Sequence, residues 1–295
     1  MKIKDILQSK KYSLSFEVFP PNERVPYESV SAATEEIARL SPSFMSVTYG
    51  AGGGTSQYTL AIAKSIKELY HVPSLAHLTC ISSTKATVRD MLRQFSEAGI
   101  ENVMALRGDL PAERPEADRR GRDYHHAFEL IADIKALAPD MCIGGACYPE
   151  IHPESPNQHE DICHLKEKVD AGCDFLTTQM FFDNNLLYSF LYKIREAGIR
   201  IPVIAGVMPI TRANQVEKAI RLSGSFMPHR FLSLVDKFGR YPEAMKQAGI
   251  AYATDQIIGL YANGITHVHV YTMNKPDVAA GIQKNLSEIL GKSDV

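Results

Sequence analysis

The sequence predicts an α/β protein, a single-domain (β/α)8 (TIM) barrel with extra helices before its eighth strand. Three observations predict it. Eight short β-rich runs alternate with amphipathic segments along 295 residues. The repeat is about 30 residues, the length of one βα unit. A Gly-rich dinucleotide turn of the GxGxxG type is missing after the first run, where PPNERVPYES follows instead. That argues against the runner-up, a doubly wound open sheet.

The runs, in order, are SLSFEVFP (13–20), FMSVTYG (44–50), SLAHLTC (74–80), NVMALRGD (102–109), CIGGACYPE (142–150), FLTTQMFF (175–182), PVIAGVMPI (202–210) and THVHVYTMN (266–274). Between them lie helical patterns such as SVSAATEEIARL, TVRDMLRQFSEAG, HLKEKVDAG and LLYSFLYKIREAG. Three helices end at Gly99, Gly172 and Gly198, the left-handed position that closes a helix. The longer stretch at 225–264 is read as extra helices. No linker, low-complexity tract or charge block divides the chain, so residues 1–295 are read as one domain.

Composition narrows the function classes. Apolar residues make up 45% and charged residues 22%, as in an ordinary globular protein. A net charge of −2 offers no electrostatic reason to expect nucleic acid or an anionic membrane as partner. The opening MKIKDILQSKKYSLSF lacks the apolar core of a signal peptide, and no run approaches the roughly 20 apolar residues of a spanning helix. Five cysteines without CxxC spacing argue against a disulfide framework and against zinc or iron–sulfur sites; they read as small buried residues of a cytoplasmic protein. His152, His159 and His164 do not form a recognisable ligand set, so no metal is expected.

Side chains alternate along a strand, which sorts the polar residues. With Leu14, Phe16 and Val18 toward the helices, Ser15 and Glu17 point inward. The same logic turns Thr48, His77, Thr79, Thr177, Gln179, His267, His269 and Tyr271 inward. On strand four it places Met104 and Leu106 on the helix side, and Ala105, Arg107 and Asp109 on the other. A barrel filled for stability alone would use Val, Ile and Leu. Polar groups converging near C-terminal strand ends therefore mark an active site. His267, early in its strand, reads as structural; His269 is left open between structure and function.

Seven segments then carry a resemblance. SFEVFPP (15–21), SVTYGAGG (46–53), HLTC (77–80), ALRGDLP (105–111), YPEIHPES (148–155), KVDAGCDFLTTQMFFD (168–183) and YTMN (271–274) resemble, in order and spacing, the signature segments of methylenetetrahydrofolate reductases of the short bacterial type. The resemblance implies a noncovalent FAD and electrons from NADH or NADPH. It implies ping-pong reduction of 5,10-methylenetetrahydrofolate to 5-methyltetrahydrofolate, feeding methionine synthesis and one-carbon metabolism.

It also implies roles. Glu17 matches the general acid, with burial beside Phe16, Phe19 and the flavin expected to keep it protonated near neutrality. Asp109, Gln179, Gln215, Lys275 and Thr48 match substrate contacts. Thr48, Tyr49, Ala51, His77, Arg107, Gly108, Asp109, His125, Tyr148, His152, Asp161 and Lys168 match flavin contacts, with Arg107 and Lys168 toward the pyrophosphate and Asp161 toward ribose or adenine.

Three departures stand out. Lys275 occupies a place where relatives often have Arg. Ala219 and Ile220 stand where an aromatic residue is expected. The charged segment 112–126 puts His125 where a small residue is expected. These departures keep open a second reading, in which a partner subunit delivers the electrons. A silent scaffold is disfavoured by the presence of Glu17, Asp109 and Gln179, and a proline-oxidising barrel flavoenzyme would not need HLTC or YPEIHPES. Exposed barrel helices favour a homo-oligomer.

Overall fold

The computed structural model describes residues 1–49, 56–81, 83–109 and 123–291. Eight parallel strands close into a barrel in sequence order. They are β1 (Ser13–Val18), β2 (Met45–Val47), β3 (Ser74–Thr79), β4 (Asn102–Leu106), β5 (Cys142–Cys147), β6 (Phe175–Thr178), β7 (Val203–Val207) and β8 (His267–Tyr271). The predicted runs overshoot at their C-terminal ends. Those extra residues are the loops of the barrel mouth, where this fold places its chemistry.

Helices alternate with the strands: α2 (Tyr27–Ala38), α3 (Ser56–Tyr70), α4 (Lys85–Glu97), α5 (Ala127–Leu137), α6 (Gln158–Asp170), α7 (Asn184–Glu196) and α8 (Asn214–Ser223). Two further helices, α9 (His229–Phe238) and α10 (Pro242–Ala262), fill the long interval before β8, as predicted. The chain continues into α11 (Pro276–Asn285) and α12 (Ser287–Gly291). Gly99, Gly172 and Gly198 take φ of 67°, 112° and 82°, the left-handed closures expected after α4, α6 and α7.

Sequence reasoning did not anticipate α1 (Ile3–Ser9). Its buried Ile3, Ile6 and Leu7 cluster with Phe44, Leu75, Met104, Cys142, Phe175 and Ile204. Phe44 just before β2 and the five strand residues form the inward set near the N-terminal end, so α1 plugs the barrel floor. Asn102 holds the plug. Its Oδ1 accepts from Ile3 N at 2.8 Å, while its Nδ2 donates to Ser74 O at 3.1 Å. Each buried plug side chain contributes about 1.5–3 kcal/mol.

The same cluster corrects strand four. Met104 lies with the interior set, and Leu106 packs beside it. Val103 and Ala105 join the helix-facing core instead. Gly144 explains the arrangement: a Cβ there would meet the Phe175 ring, with Met104 Sδ at 3.0 Å, so the missing side chain makes room for both. Of the five cysteines, Cys80, Cys142, Cys147 and Cys173 are buried as expected, but Cys163 is exposed on α6. Among the described residues, no helix is long and apolar enough to cross a membrane.

Candidate active site

Parallel pairing of β1 with β8 builds the inner wall of the site level by level. Ser13 is in register with His267, Ser15 with His269, and Glu17 with Tyr271. At the lowest level Ser13 Oγ lies 2.9 Å from His267 Nδ1, the structural role read from its position. One level up, Ser15 Oγ lies 2.8 Å from His269 Nδ1. The His269 ring is stacked on Phe44 at 5.5 Å and meets Tyr271 edge-on at 5.5 Å.

Glu17 stands at the top of this wall and is only 5% exposed. Ser46, across on β2, donates to its Oε2 at 3.2 Å and lies 2.9 Å from His269 Nε2. His77 Nε2 is 3.6 Å from the same carboxylate oxygen. That distance exceeds a hydrogen bond. Burial pushes the His77 imidazole down to about 4, against the opposing pull of Glu17. His77 is therefore neutral at physiological pH, and the contact is not an ion pair. Its Nε2, like the buried Thr177 Oγ1, has no hydrogen-bond partner among the described residues. Leaving such a group unsatisfied costs about 1–3 kcal/mol, so both atoms are open to a ligand.

Tyr271 closes the opposite side. Its hydroxyl donates to Thr178 O at 2.6 Å, and burial drives its phenol well above the ordinary range.

The loops after β4 and β5 meet over this floor. Gly108 reverses the chain at φ 85°, and a Cβ there would sit 2.9 Å from Thr79 Cβ. The turn carries Arg107 toward the β5–α6 loop, where Glu154 grips its guanidinium with two hydrogen bonds of 2.6 Å. Asp109 follows, exposed at the rim. His152 packs edge-on against Tyr148 at 4.6 Å, and Asp161 accepts from His152 N at 3.2 Å. Burial pushes the Tyr148 phenol up to about 12 and the His152 imidazole down.

A buried acid, a neutral histidine and convergent loops thus meet at the C-terminal end of the barrel. The methylenetetrahydrofolate reductase family profile matches residues 2–287. The chain belongs to the methylenetetrahydrofolate reductase family. It is 32% identical to the 5,10-methylenetetrahydrofolate reductase of Pectobacterium carotovorum subsp. carotovorum, over 92% of this chain and 89% of that one. It is 33% identical to the enzyme of the same name from Escherichia coli K12, with the same coverages. Against methylenetetrahydrofolate reductase (NADH) 1 of Arabidopsis thaliana it is 32% identical over 98% of its length and spans half of the plant protein. Among solved structures, a Clostridium thermocellum protein described as binding two copies of 5-methyl-5,6,7,8-tetrahydrofolic acid shares the fold, with TM-score 0.64, 12% identity and 99% of each chain covered.

Several of the matched positions already have protein partners. Lys168 Nζ donates to Ala146 O at 2.7 Å and is desolvated, which lowers its pKa. Asp161 is engaged in shaping the His152 loop, with Ser155 Oγ as a second donor at 3.3 Å. Gln179 Oε1 accepts from Met180 N at 3.0 Å, and Gln215 Oε1 accepts from the Thr211 and Arg212 amides at 2.9 Å. Both amide oxygens accept from backbone amides, and each side chain keeps an NH2 group as donor.

Lys275 donates to Thr211 Oγ1 at 2.8 Å beside Gln215. Thr48 and Tyr49 are half-buried at the end of β2, and Tyr49 packs on the helix-facing core. His125 is exposed ahead of α5, its amide bound by Glu129. Ala51 and its neighbours 50–55, together with 110–122 of the charged segment, lie outside the described residues. One residue was missed: Ser46 was not singled out although it alternates with Thr48. His269, read as inward with its role left open, faces Ser15 in register.

Proposed function

We propose that this protein reduces 5,10-methylenetetrahydrofolate to 5-methyltetrahydrofolate, with NADH or NADPH as electron source and a noncovalent FAD as intermediary, the two substrates taking turns. The observation that carries this reading is Glu17, a buried carboxyl at the C-terminal end of β1 in a chain of this family. FAD, when bound, supplies the hydride. The residues present fit such a group. Arg107 brings positive charge to the loops of the mouth, Lys168 stands desolvated behind β5, and His77 Nε2 and Thr177 Oγ1 offer buried polar atoms without protein partners among the described residues. Thr48, Tyr49, Gly108, Tyr148 and His152 would complete the cradle.

The chain's own residues then have defined work. The one-carbon unit of the substrate bridges two nitrogens in a five-membered ring. That ring opens to an iminium only when the departing nitrogen gains a proton, and Glu17 delivers it. Asp109 accepts hydrogen bonds from the amino-pyrimidine edge of the pterin. The amide NH2 groups of Gln179 and Gln215 orient the substrate, and Lys275 meets its carboxylate tail as a point charge. The plant relatives' names support NADH as a donor.

The test is a half-reaction. Bound flavin is reduced anaerobically, methylenetetrahydrofolate is added, and flavin absorbance is followed. Reoxidation with formation of methyltetrahydrofolate is expected, slowed about 10²–10⁴-fold in Glu17→Gln with flavin still bound. A flavin that stays reduced in the wild type overturns the reading. The same preparation mixed with NADH or NADPH separates direct reduction from delivery by a partner subunit.

A further inference from the structure

At the N-terminal end of the barrel, away from Glu17, lies a cavity of about 440 Å³. It opens beside the α1 plug, against the starts of β2, β3 and β4. That volume is within the range of small-molecule sites. None of the residues matched to substrate or flavin lines it. Two ammonium groups reach it from different elements. Lys10, just after α1, donates to Ser43 Oγ at 3.3 Å, and Lys67, on α3, donates to Gly99 O. Both acceptors are neutral, and neither lysine has a carboxylate partner among the described residues. Glu101 is the one carboxylate among the described lining residues, and it meets Met1 N. Positive charge is therefore in excess here, on a chain whose net charge is −2.

His71 adds a third polar side chain, at a conformational cost. It lines the cavity with φ 56°, in the left-handed position that closes α3. Glycine fills that position after α4, α6 and α7. A Cβ is disfavoured there. Core packing does not offset the cost, because His71 is exposed. The rest of the wall is apolar, with Ile6, Pro42, Val72 and Pro73 along it. A cationic rim over an apolar wall suits a ligand with both characters.

We infer that this cavity is a binding site for a small organic carboxylate, its head at Lys10, Lys67 and His71 and its apolar body against Ile6 and Val72. Neither half of the ligand suffices. Solvent-exposed ion pairs contribute little by themselves, so an inorganic anion gains little from the lysines. A neutral chain of the same length leaves the ammonium groups without a counter-charge. The site lies at the opposite end of the barrel from Glu17, and it stands or falls independently of the reaction proposed above.

The experiment is a ligand-observed NMR titration of the full chain with hexanoate, compared with hexanol and inorganic phosphate. Hexanoate should bind with a dissociation constant of about 1 mM or below, and about tenfold more tightly than either comparison. Lys10→Met and Lys67→Met should each weaken it about three- to tenfold. Lys275→Met, at the other end of the barrel, should leave it unchanged. His71→Gly should weaken hexanoate binding while keeping or raising the melting temperature, because glycine relaxes the left-handed backbone. A loss of binding in a protein at least as stable separates a ligand contact from a structural role. Hexanol binding as tightly as hexanoate overturns the anionic head, and phosphate binding as tightly overturns the apolar body. The site itself is overturned if hexanoate does not bind saturably, if both lysine variants bind it as the wild type does, or if Lys275→Met is the change that abolishes binding.

Discussion

The Arg107 guanidinium is held by both carboxylate oxygens of Glu154, each at 2.6 Å, across the loops that follow β4 and β5. Glu154 raises the affinity of Arg107 for its proton and half-neutralises the charge that an anionic cofactor would meet. Glu154 is half exposed, so the pair is worth at most about 1 kcal/mol. Glu154→Gln should therefore tighten binding of FAD by about two- to fivefold, measured by titrating apoprotein with flavin. Weaker binding would mean that Glu154 positions Arg107 for the cofactor instead of competing with it.

His77 makes stability depend on pH. Its folded-state pKa, about 4, lies below the ordinary 6.5 because the ring is buried. The unfolded chain thus binds the proton first. The contribution is fully present above about pH 6.5 and is lost as pH falls toward 4, amounting to roughly 3 kcal/mol. Denaturant unfolding of wild type and His77→Asn at several pH values should give difference curves with this slope. A pH-independent difference would rule it out.

Gly206 and Tyr271 are matched across the mouth. A Cβ at 206 would fall against Thr178 O and the Tyr271 ring. Gly206→Ala should cost about 1–3 kcal/mol through strain. Tyr271→Phe should cost about 1–3 kcal/mol by leaving the Thr178 carbonyl without its hydroxyl donor. Because both changes break the same contact, the double variant should lose less than the sum, read from urea midpoints.

At the other end of the barrel, Ile6 is 1% exposed in the α1 plug. Ile6→Ala should cost about 2–5 kcal/mol. The folate half-reaction should be unchanged below the new melting temperature, because Glu17 and Ile6 lie at opposite ends of the interior. A large loss of rate in folded protein would show that the plug sets the geometry of the mouth.

The strand and helix order follows from the chain alone. Period-two runs, helical segments closed by glycines and the long interval before β8 are local features, readable from neighbours a few residues apart. Glu17 and His77 were legible because Leu14, Phe16 and Val18, and then Ala76 and Leu78, face the helices and leave the polar partners inside. The motif order was enough to point to the family.

Three features were decided only by tertiary structure. In β4 both faces are buried, so Val103 and Ala105 read like Met104 and Leu106, and the alternation carries no sign. The face was settled by Gly144, which makes room on the neighbouring strand. The α1 plug depends on a floor built by five different strands and Phe44, just before β2. The contact of Ser15 with His269 joins residues 254 positions apart in sequence, which only closure of β1 onto β8 brings into register. Local propensity sets which segments are strands; which side chains meet across the β1–β8 seam is set by ring closure, a long-range contact that local pattern does not encode.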